Sequence, residues 1–570
     1  MANGSVSRLP SPGRGIGDGG MPPSAIPAGS SSQGDLLDKL HRHLTVVFSL
    51  RSFPKGNSVE GQRDRTLDGI HDDGLFFLPT CQDGKAYIKC YFEHATSTYR
   101  YLERQQTERL VEEFYGNQGD GMQKEDIVLL LLLMATGCLW TPSWTGVDPQ
   151  ITTKKSLLLL EAAQGRLAKL DLTRPKLRLV QIHIALCHLH LGMSEFRTAW
   201  LALGTAAQLG RLIRLHSKSP EGVTTEVDEP RRQAFWSSFM MDRYLSLVLG
   251  CPVIYDERDI TQLLPSCPQG GALESQDEDR RLVGCIAHIK LSQILGHAWR
   301  QLKSPGSLSE AERSLAVHAL NQELNVWIAH TPPFFHPDGS NDRDINPFAS
   351  VPPFFCRQQQ LVQSAFHFIN LFIYRSYLLD QFNNRAAASP LAAMSPEVTV
   401  CVESAISIAR LVSKMRDTPG AKRTFWNSAY FCFASLTVLL VYLMVYEEAP
   451  RRAEIENMIE AAMDGHIQLT GSTKKDRENV LEELKRLSHT LHRRQDRPQS
   501  SGHQEGAPVT FGNGLGASDC FSSSAAEWDP LWQYTLDMLG FDLNMGAPLP
   551  MGLGTFEGAE AAAADIGAML

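Results

Sequence analysis

The stretch EPRRQAFWSSFMMDRYLSLVLGCPVIYDERDITQLLPSCP, Glu229 to Pro268, carries most of the structural information in the 570 residues. Asp228 just before it is a natural helix N-cap and Gly250 a natural stop, so the spacing predicts a helix of about twenty residues. Phe235, Phe239 and Ser246 fall on one stripe of that helix, and Arg232, Trp236, Met240, Arg243 and Leu247 on the neighbouring one. Arginines interleaved with aromatics have two readings. One is a surface on which nucleic-acid bases stack. The other, which is the expected one, is a buried face: Arg232 lies over Trp236 as a cation–π contact, and Asp242 or Arg243 pairs with charges on a neighbouring helix.

Outward from this helix, periodicity is helical almost throughout residues 85–497, and capping chemistry marks where helices start and stop. Ser309 with Glu312 forms a capping box, Ser395 with Pro396 an N-cap and first-turn proline, and Gly192 and Gly250 close helices. No Asn-Gly or Asp-Gly turn joins two alternating apolar runs. The fold class is all-α, a body of about ten to twelve helices in two lobes with disordered N- and C-terminal tails. Residues 1–34 are low-complexity, with too little apolar surface to offset chain entropy. Their GIGDGG, at Gly15 to Gly20, has no preceding strand and reads as composition. Residues 35–84 form a short helix and linker; Leu37, Leu40, Leu44 and Val47 fit a helix packing on its own domain, or a dimer seam of under two heptads. The first lobe spans 85–330, a Pro-rich linker 331–355, the second lobe 356–497 and an acidic-aromatic tail 498–570. A second break, SCPQGGALESQDED, lies at 266–279.

The net charge of −9 is segregated: no Lys or Arg follows Arg497, and nine acids lie beyond it, leaving 54 basic against 54 acidic residues before. A neutral body offers no electrostatic footprint for nucleic acid, which needs clustered cations. The eleven cysteines are scattered, the closest pair being Cys81 and Cys90, which fits neither a disulfide framework nor a tight zinc spacing and suggests a reducing compartment. The N-terminus lacks the basic and apolar regions of a secretory signal. Ile127 to Trp140 is too short to cross a bilayer, which needs about 20 residues. Ala429 to Tyr446 runs 18 residues without a charge and reads as a buried central helix, so no membrane partner is expected.

Catalytic motifs are missing: the chain has no HExxH, no G-x-S-x-G elbow and no Walker A loop. His183, Cys187 and His190 share one helix face, a permissive geometry for a metal, but IALCHLH is an apolar helix in which thiols and imidazoles are commonly buried. No metal, cofactor or catalytic residue is assigned, and an enzyme is not expected.

The quoted stretch resembles the signature of the fungal-specific transcription factor domain, the middle homology region that accompanies zinc binuclear cluster modules in fungal regulators. The matching positions are Glu229, Arg231, Arg232, Phe235, Trp236, Asp242, Arg243, Ser246, Gly250, Pro252, Asp256, Asp259, Ile260 and Pro265. Upstream, AWLALGTAAQLGRLIRLH from Ala199 resembles the family's preceding helix, with Arg214 where a glycine is usual, and YFEHATSTYRYLERQQ from Tyr91 resembles its opening helix. The likeness covers residues 87–450. It implies a nuclear, RNA polymerase II-dependent regulator, for instance of a secondary-metabolite or catabolic gene set. The family's DNA-reading module holds two zinc ions with six cysteines in about thirty residues near the N-terminus. Here the first cysteine is Cys81. Promoter DNA is then contacted directly only through a module lying upstream of these residues; the alternative is a regulator-like interaction protein that acts through a partner transcription factor, as a homo- or heterodimer.

The tail completes the reading. EWDPLWQYTLDMLGFDLNM, Glu527 to Met545, interleaves acids with Trp528, Leu531, Trp532, Tyr534, Leu536, Met538, Leu539, Phe541 and Leu543. That is the composition of an activation region, whose aromatics stay solvated until a coactivator groove accepts them; the competing reading is a C-terminal helix docked on the body. In KRLSHTLHRRQDR, the basic clusters Lys485, Arg486, Arg493, Arg494 and Arg497 fit a nuclear-import signal or a solvated helix end.

Overall fold

The computed structural model describes residues 78–470, apart from 118, 142–148, 221–222, 224, 267–274, 303–307, 338–352, 384–393, 418–425 and 447–450, together with Lys485. The expectations for 1–34, for most of 35–84 and for the tail 498–570 lie outside the described residues. So do those for Arg486, Arg493, Arg494 and Arg497.

Thirteen α-helices and no strand occur among the described residues. In chain order they are α1 (Cys81–Cys90), α2 (Arg104–Gly116), α3 (Lys124–Leu139), α4 (Pro149–Leu167), α5 (Leu177–Gly192), α6 (Phe196–Leu212), α7 (Thr225–Leu249), α8 (Ser275–Leu302), α9 (Glu310–His330), α10 (Pro353–Asn383), α11 (Pro396–Asp417), α12 (Trp426–Val445) and α13 (Arg452–Thr470). The expected opening helix from Tyr91 is not one helix. Tyr91–Ala95 is a π turn continuing α1, residues 96–103 are non-helical, and α2 starts only at Arg104. The hydroxyl and aromatic run Thr96, Ser97, Thr98, Tyr99 is buried there, and such residues favour local bonds over helix propagation.

Two all-apolar helices organise the packing. α3 buries every residue from Val128 to Cys138 between α1, α4 and α5. Gly137 lets α1 approach: a Cβ there would lie 1.9 Å from the Tyr87 carbonyl oxygen. α12 is long and apolar enough to cross a membrane, yet 94% of its apolar window is buried against the rest of the protein, packed on α10, α11 and α13. Phe431 stacks on Phe368 of α10 at 4.4 Å between ring centroids and meets Tyr244 of α7 at 5.7 Å. Each fully buried aromatic or aliphatic side chain contributes about 1.5–3 kcal/mol. One continuous apolar core therefore joins helices on both sides of the Pro-rich segment, within which Pro333–Phe335 forms a 3-10 turn.

The capping chemistry is local and holds. The Ser309–Glu312 box is formed in both directions at the start of α9, and the Ser395 hydroxyl accepts from the Val398 amide at the start of α11. α5 ends differently from expectation. Gly192 is its last helical residue and Ser194, at φ 62°, takes the left-handed position that closes it.

Candidate functional site

α7 spans 25 residues and begins at Thr225, earlier than Asp228 suggested. Asp228 is not its N-cap. Its carboxylate lies inside the first turns, accepts from the Ser219 hydroxyl and pairs with Arg232 one turn on at 2.5 Å. Arg232 is thereby drawn away from Trp236, so the expected cation–π contact is not made; its Nη1 donates instead to the Ser266 hydroxyl at 3.3 Å. On α7 it is the Arg243 guanidinium that lies over a ring, 4.0 Å from the Phe239 centroid.

Gly250 ends α7 at φ 67°, where an L side chain is strained, and the chain folds back along the helix. Asp242 organises this corner from full burial. Its Oδ1 accepts from the Ser246 hydroxyl at 3.0 Å and the Ile254 amide at 2.9 Å, while its Oδ2 accepts from Arg243 Nη1 at 2.6 Å and the Tyr255 amide at 3.2 Å. Burial holds the Asp242 carboxyl above its ordinary value, opposed by the Arg243 guanidinium and the two amides. Ser246 also reaches the Pro252 carbonyl at 3.3 Å. The charges expected on a neighbouring helix are thus mainly satisfied by the adjacent residue and by the returning loop.

The network continues outward. Arg243 Nη2 meets the Tyr255 carbonyl at 2.9 Å and Glu257 Oε1 at 3.2 Å. Glu257, in the 3-10 turn Glu257–Asp259, pairs with His297 and Arg300 of α8, each at 2.8 Å, and His297 with Glu323 of α9 at 2.7 Å. Those cations outweigh burial and pull the Glu257 carboxyl down to about 2, whereas hydrogen bonding to Glu257 raises the His297 imidazole.

The rest of the signature ties the loop down. Trp236, buried, donates from Nε1 to the Leu263 carbonyl at 2.8 Å; Glu229 accepts from the Ser266 amide at 3.1 Å; Arg231 reaches the Ile213 carbonyl at 2.8 Å. Phe235 packs edge-on to Tyr255 at 5.4 Å, Pro265 is buried and Ile260 is partly so, while Asp256 and Asp259 face outward, Asp256 capping the 3-10 turn. Arg214, at the expected glycine position, adopts φ 58°.

His183, Cys187 and His190 are all buried on α5. Burial lowers His183 to about 4 and raises the Cys187 thiol, and His190 Nδ1 pairs with Glu195 at 2.6 Å. No group of three or more His, Cys, Asp or Glu side chains among the described residues is placed to hold a metal ion. Lys485 contacts Glu460 of α13 at 3.1 Å. The small, mainly apolar pocket lined by Ala95, residues 97–99, Trp140, His188, Leu361 and residues 426–427 escaped the sequence reading, because its members are remote in the chain.

This geometry is a scaffold: a helix, its glycine stop and a loop locked by buried ions. Residues 88–329 match the model of the fungal specific transcription factor domain. The match stops short of the expected 450. Among relatives, the chain is 27% identical to a transcriptional regulatory protein of Schizosaccharomyces pombe over 43% of its own length and 30% of that protein's. It is 21% identical to "Activator of stress genes 1" of Saccharomyces cerevisiae over 64% and 38%, and 22% identical to the "ABC-transporter-regulating transcription factor" of Aspergillus oryzae over 46% and 30%. The chain spans about a third of the length of the first of these curated relatives.

Proposed function

We propose that the chain is a nuclear regulator of RNA polymerase II transcription, with no enzymatic activity of its own, in which the helical domain is the regulatory body and residues 527–545 recruit coactivators. The observation that carries this reading is the domain match over 88–329, with relatives named as transcription regulators. The acidic-aromatic composition of 527–545 supports the activating role. A single pathway, such as a secondary-metabolite or catabolic gene set, is the scope proposed for it. A second reading is an interaction subunit that reaches promoters through a DNA-binding partner, as a homo- or heterodimer; the charge balance of residues 1–497 favours it, because promoter DNA is held by clustered cations. Lys485, Arg486, Arg493, Arg494 and Arg497 are the proposed import signal.

The test tethers the full chain to an unrelated DNA-binding domain upstream of a reporter. Output that falls to background when Trp528, Trp532 and Phe541 become Ala supports the activator reading. A stably expressed, nuclear fusion that is silent contradicts it.

A further inference from the structure

α9 carries two apolar stripes on opposite sides. Val317, Leu320, Leu324 and Trp327 are buried, and Trp327 donates from Nε1 to the Ala287 carbonyl of α8 at 2.9 Å. On the far side Leu315, Ala319, Gln322 and Val326 all face solvent. Leu315 is 72% exposed, the most of any large apolar residue among those described, and Val326 is 58% exposed.

Single exposed apolar residues are ordinary and need no explanation. These are aligned, and their surroundings are unusual: from Ser314 to His330 no exposed position of α9 holds Asp, Glu, Lys or Arg. Glu323 turns aside to His297 at 2.7 Å, and Arg313, just before the run, pairs with Asp380 of α10 at 2.6 Å. The outer face of a surface helix is ordinarily where its charges gather. Positions 315, 319, 322 and 326 instead have the alternating four-and-three spacing of a coiled-coil seam.

We infer that the outer face of α9 is the contact through which two copies of this chain pair, antiparallel about a two-fold axis between Leu320 and Asn321. A two-fold contact needs a patch that complements itself. In this register Leu315 of one copy meets Val326 of the other in both end layers. Ala319, small enough to let the backbones approach, meets Gln322 in the two central layers. Beyond them, His330 of one copy stands level with the exposed Glu310 and Glu312 of the other, histidine beside acid. A partner with charged contact residues would leave them desolvated without a counter-charge along the seam; a second copy of this face brings none there. The pairing is a property of the folded body and stands whether or not the chain regulates transcription.

One helix from each copy makes a contact at the small end of specific interfaces, so the full chain should dimerise reversibly with a midpoint on the order of 10 µM. Sedimentation velocity of the full chain between about 1 and about 100 µM reads it. Leu315→Glu and Val326→Lys should each weaken pairing by at least about ten-fold, since each sets a charge against an apolar side chain in both end layers. Mixing the two variants restores it: the introduced carboxylate meets the introduced ammonium in one end layer, and a native Leu315–Val326 pair fills the other. Leu212→Glu, at a comparably exposed leucine of α6, leaves pairing unchanged. Thermal melting shows that each variant is folded; if one is not, the other decides. The inference is overturned if the parent chain stays monomeric throughout, as it would were another segment or a different protein the occupant of this face. It is equally overturned if a folded variant pairs as the parent does, if the mixture of folded variants stays monomeric, or if Leu212→Glu weakens pairing as much.

Discussion

The corner around Asp242 and the histidine face of α5 both place polar groups in an apolar interior, and they resolve the cost in opposite ways. Asp242 keeps a carboxylate there by surrounding it with a guanidinium, a hydroxyl and two backbone amides, and Arg243 is in turn held by Glu257 and the Tyr255 carbonyl. His183 and His188 make no such set: their imidazoles are held neutral, and three of their four ring nitrogens have no partner. A buried charge requires neighbours of fixed identity, because removing one partner strands the other. A buried neutral imidazole has no charge to strand, and its unpartnered ring nitrogens cost only their own desolvation. The first arrangement fixes architecture, and the second makes the fold sensitive to acid.

The largest effect is expected at the tryptophan that links the two sides of the corner. Trp236→Ala should cost about 3–5 kcal/mol, as aromatic truncations in cores do, whereas Trp236→Phe, which loses chiefly the bond to the Leu263 carbonyl, should cost about 1 kcal/mol. Chemical denaturation of the two variants checks the ratio. Equal losses would mean that the hydrogen bond, not the packing, holds the loop.

Acid should separate the two regions next. His183, His188 and His288 are held at about 4, 4 and 3 in the folded protein by burial, below the unfolded value of about 6.5. The unfolded chain therefore binds more protons between these limits, so stability is intact above pH 6.5 and falls as pH drops toward 4, by on the order of 3 kcal/mol per histidine. His297 has the opposite sign. Its raised pKa contributes stability that is present below the unfolded value and lost as pH rises through the folded one. Replacing His183 with Leu should flatten the acid slope, and an unchanged slope would show that the imidazole is not buried neutral.

The smallest effect is a gain. Arg214 occupies a left-handed conformation after α6, and Arg214→Gly should relieve strain worth roughly 1 kcal/mol, net of the entropy glycine adds to the unfolded chain. A melting temperature that rises slightly supports this, and one that falls would assign the guanidinium a stabilising contact.

Features set by adjacent residues were legible in the sequence. The Ser309 box, the Ser395 cap, the Gly250 stop and the burial of α3 and α12 each depend on a few consecutive side chains and came out as their chemistry indicates. Asp228 was misread because a distant partner, Ser219, and the residue a turn away, Arg232, claim its carboxylate. Arg243 reaches Phe239 rather than Arg232 reaching Trp236 for the same reason: competition between partners is settled in space. The pocket was invisible for a stronger version of it, since its walls come from residues more than three hundred positions apart.

The central claim is that the buried charges of α7 form a scaffold and not a docking face, and Asp242→Asn tests it most directly. The change keeps the shape, removes the charge opposite Arg243 and should cost about 3–5 kcal/mol, so thermal stability and reporter output of the tethered full chain should fall together. Unchanged melting with lost output would contradict the account and place Asp242 at a partner's surface.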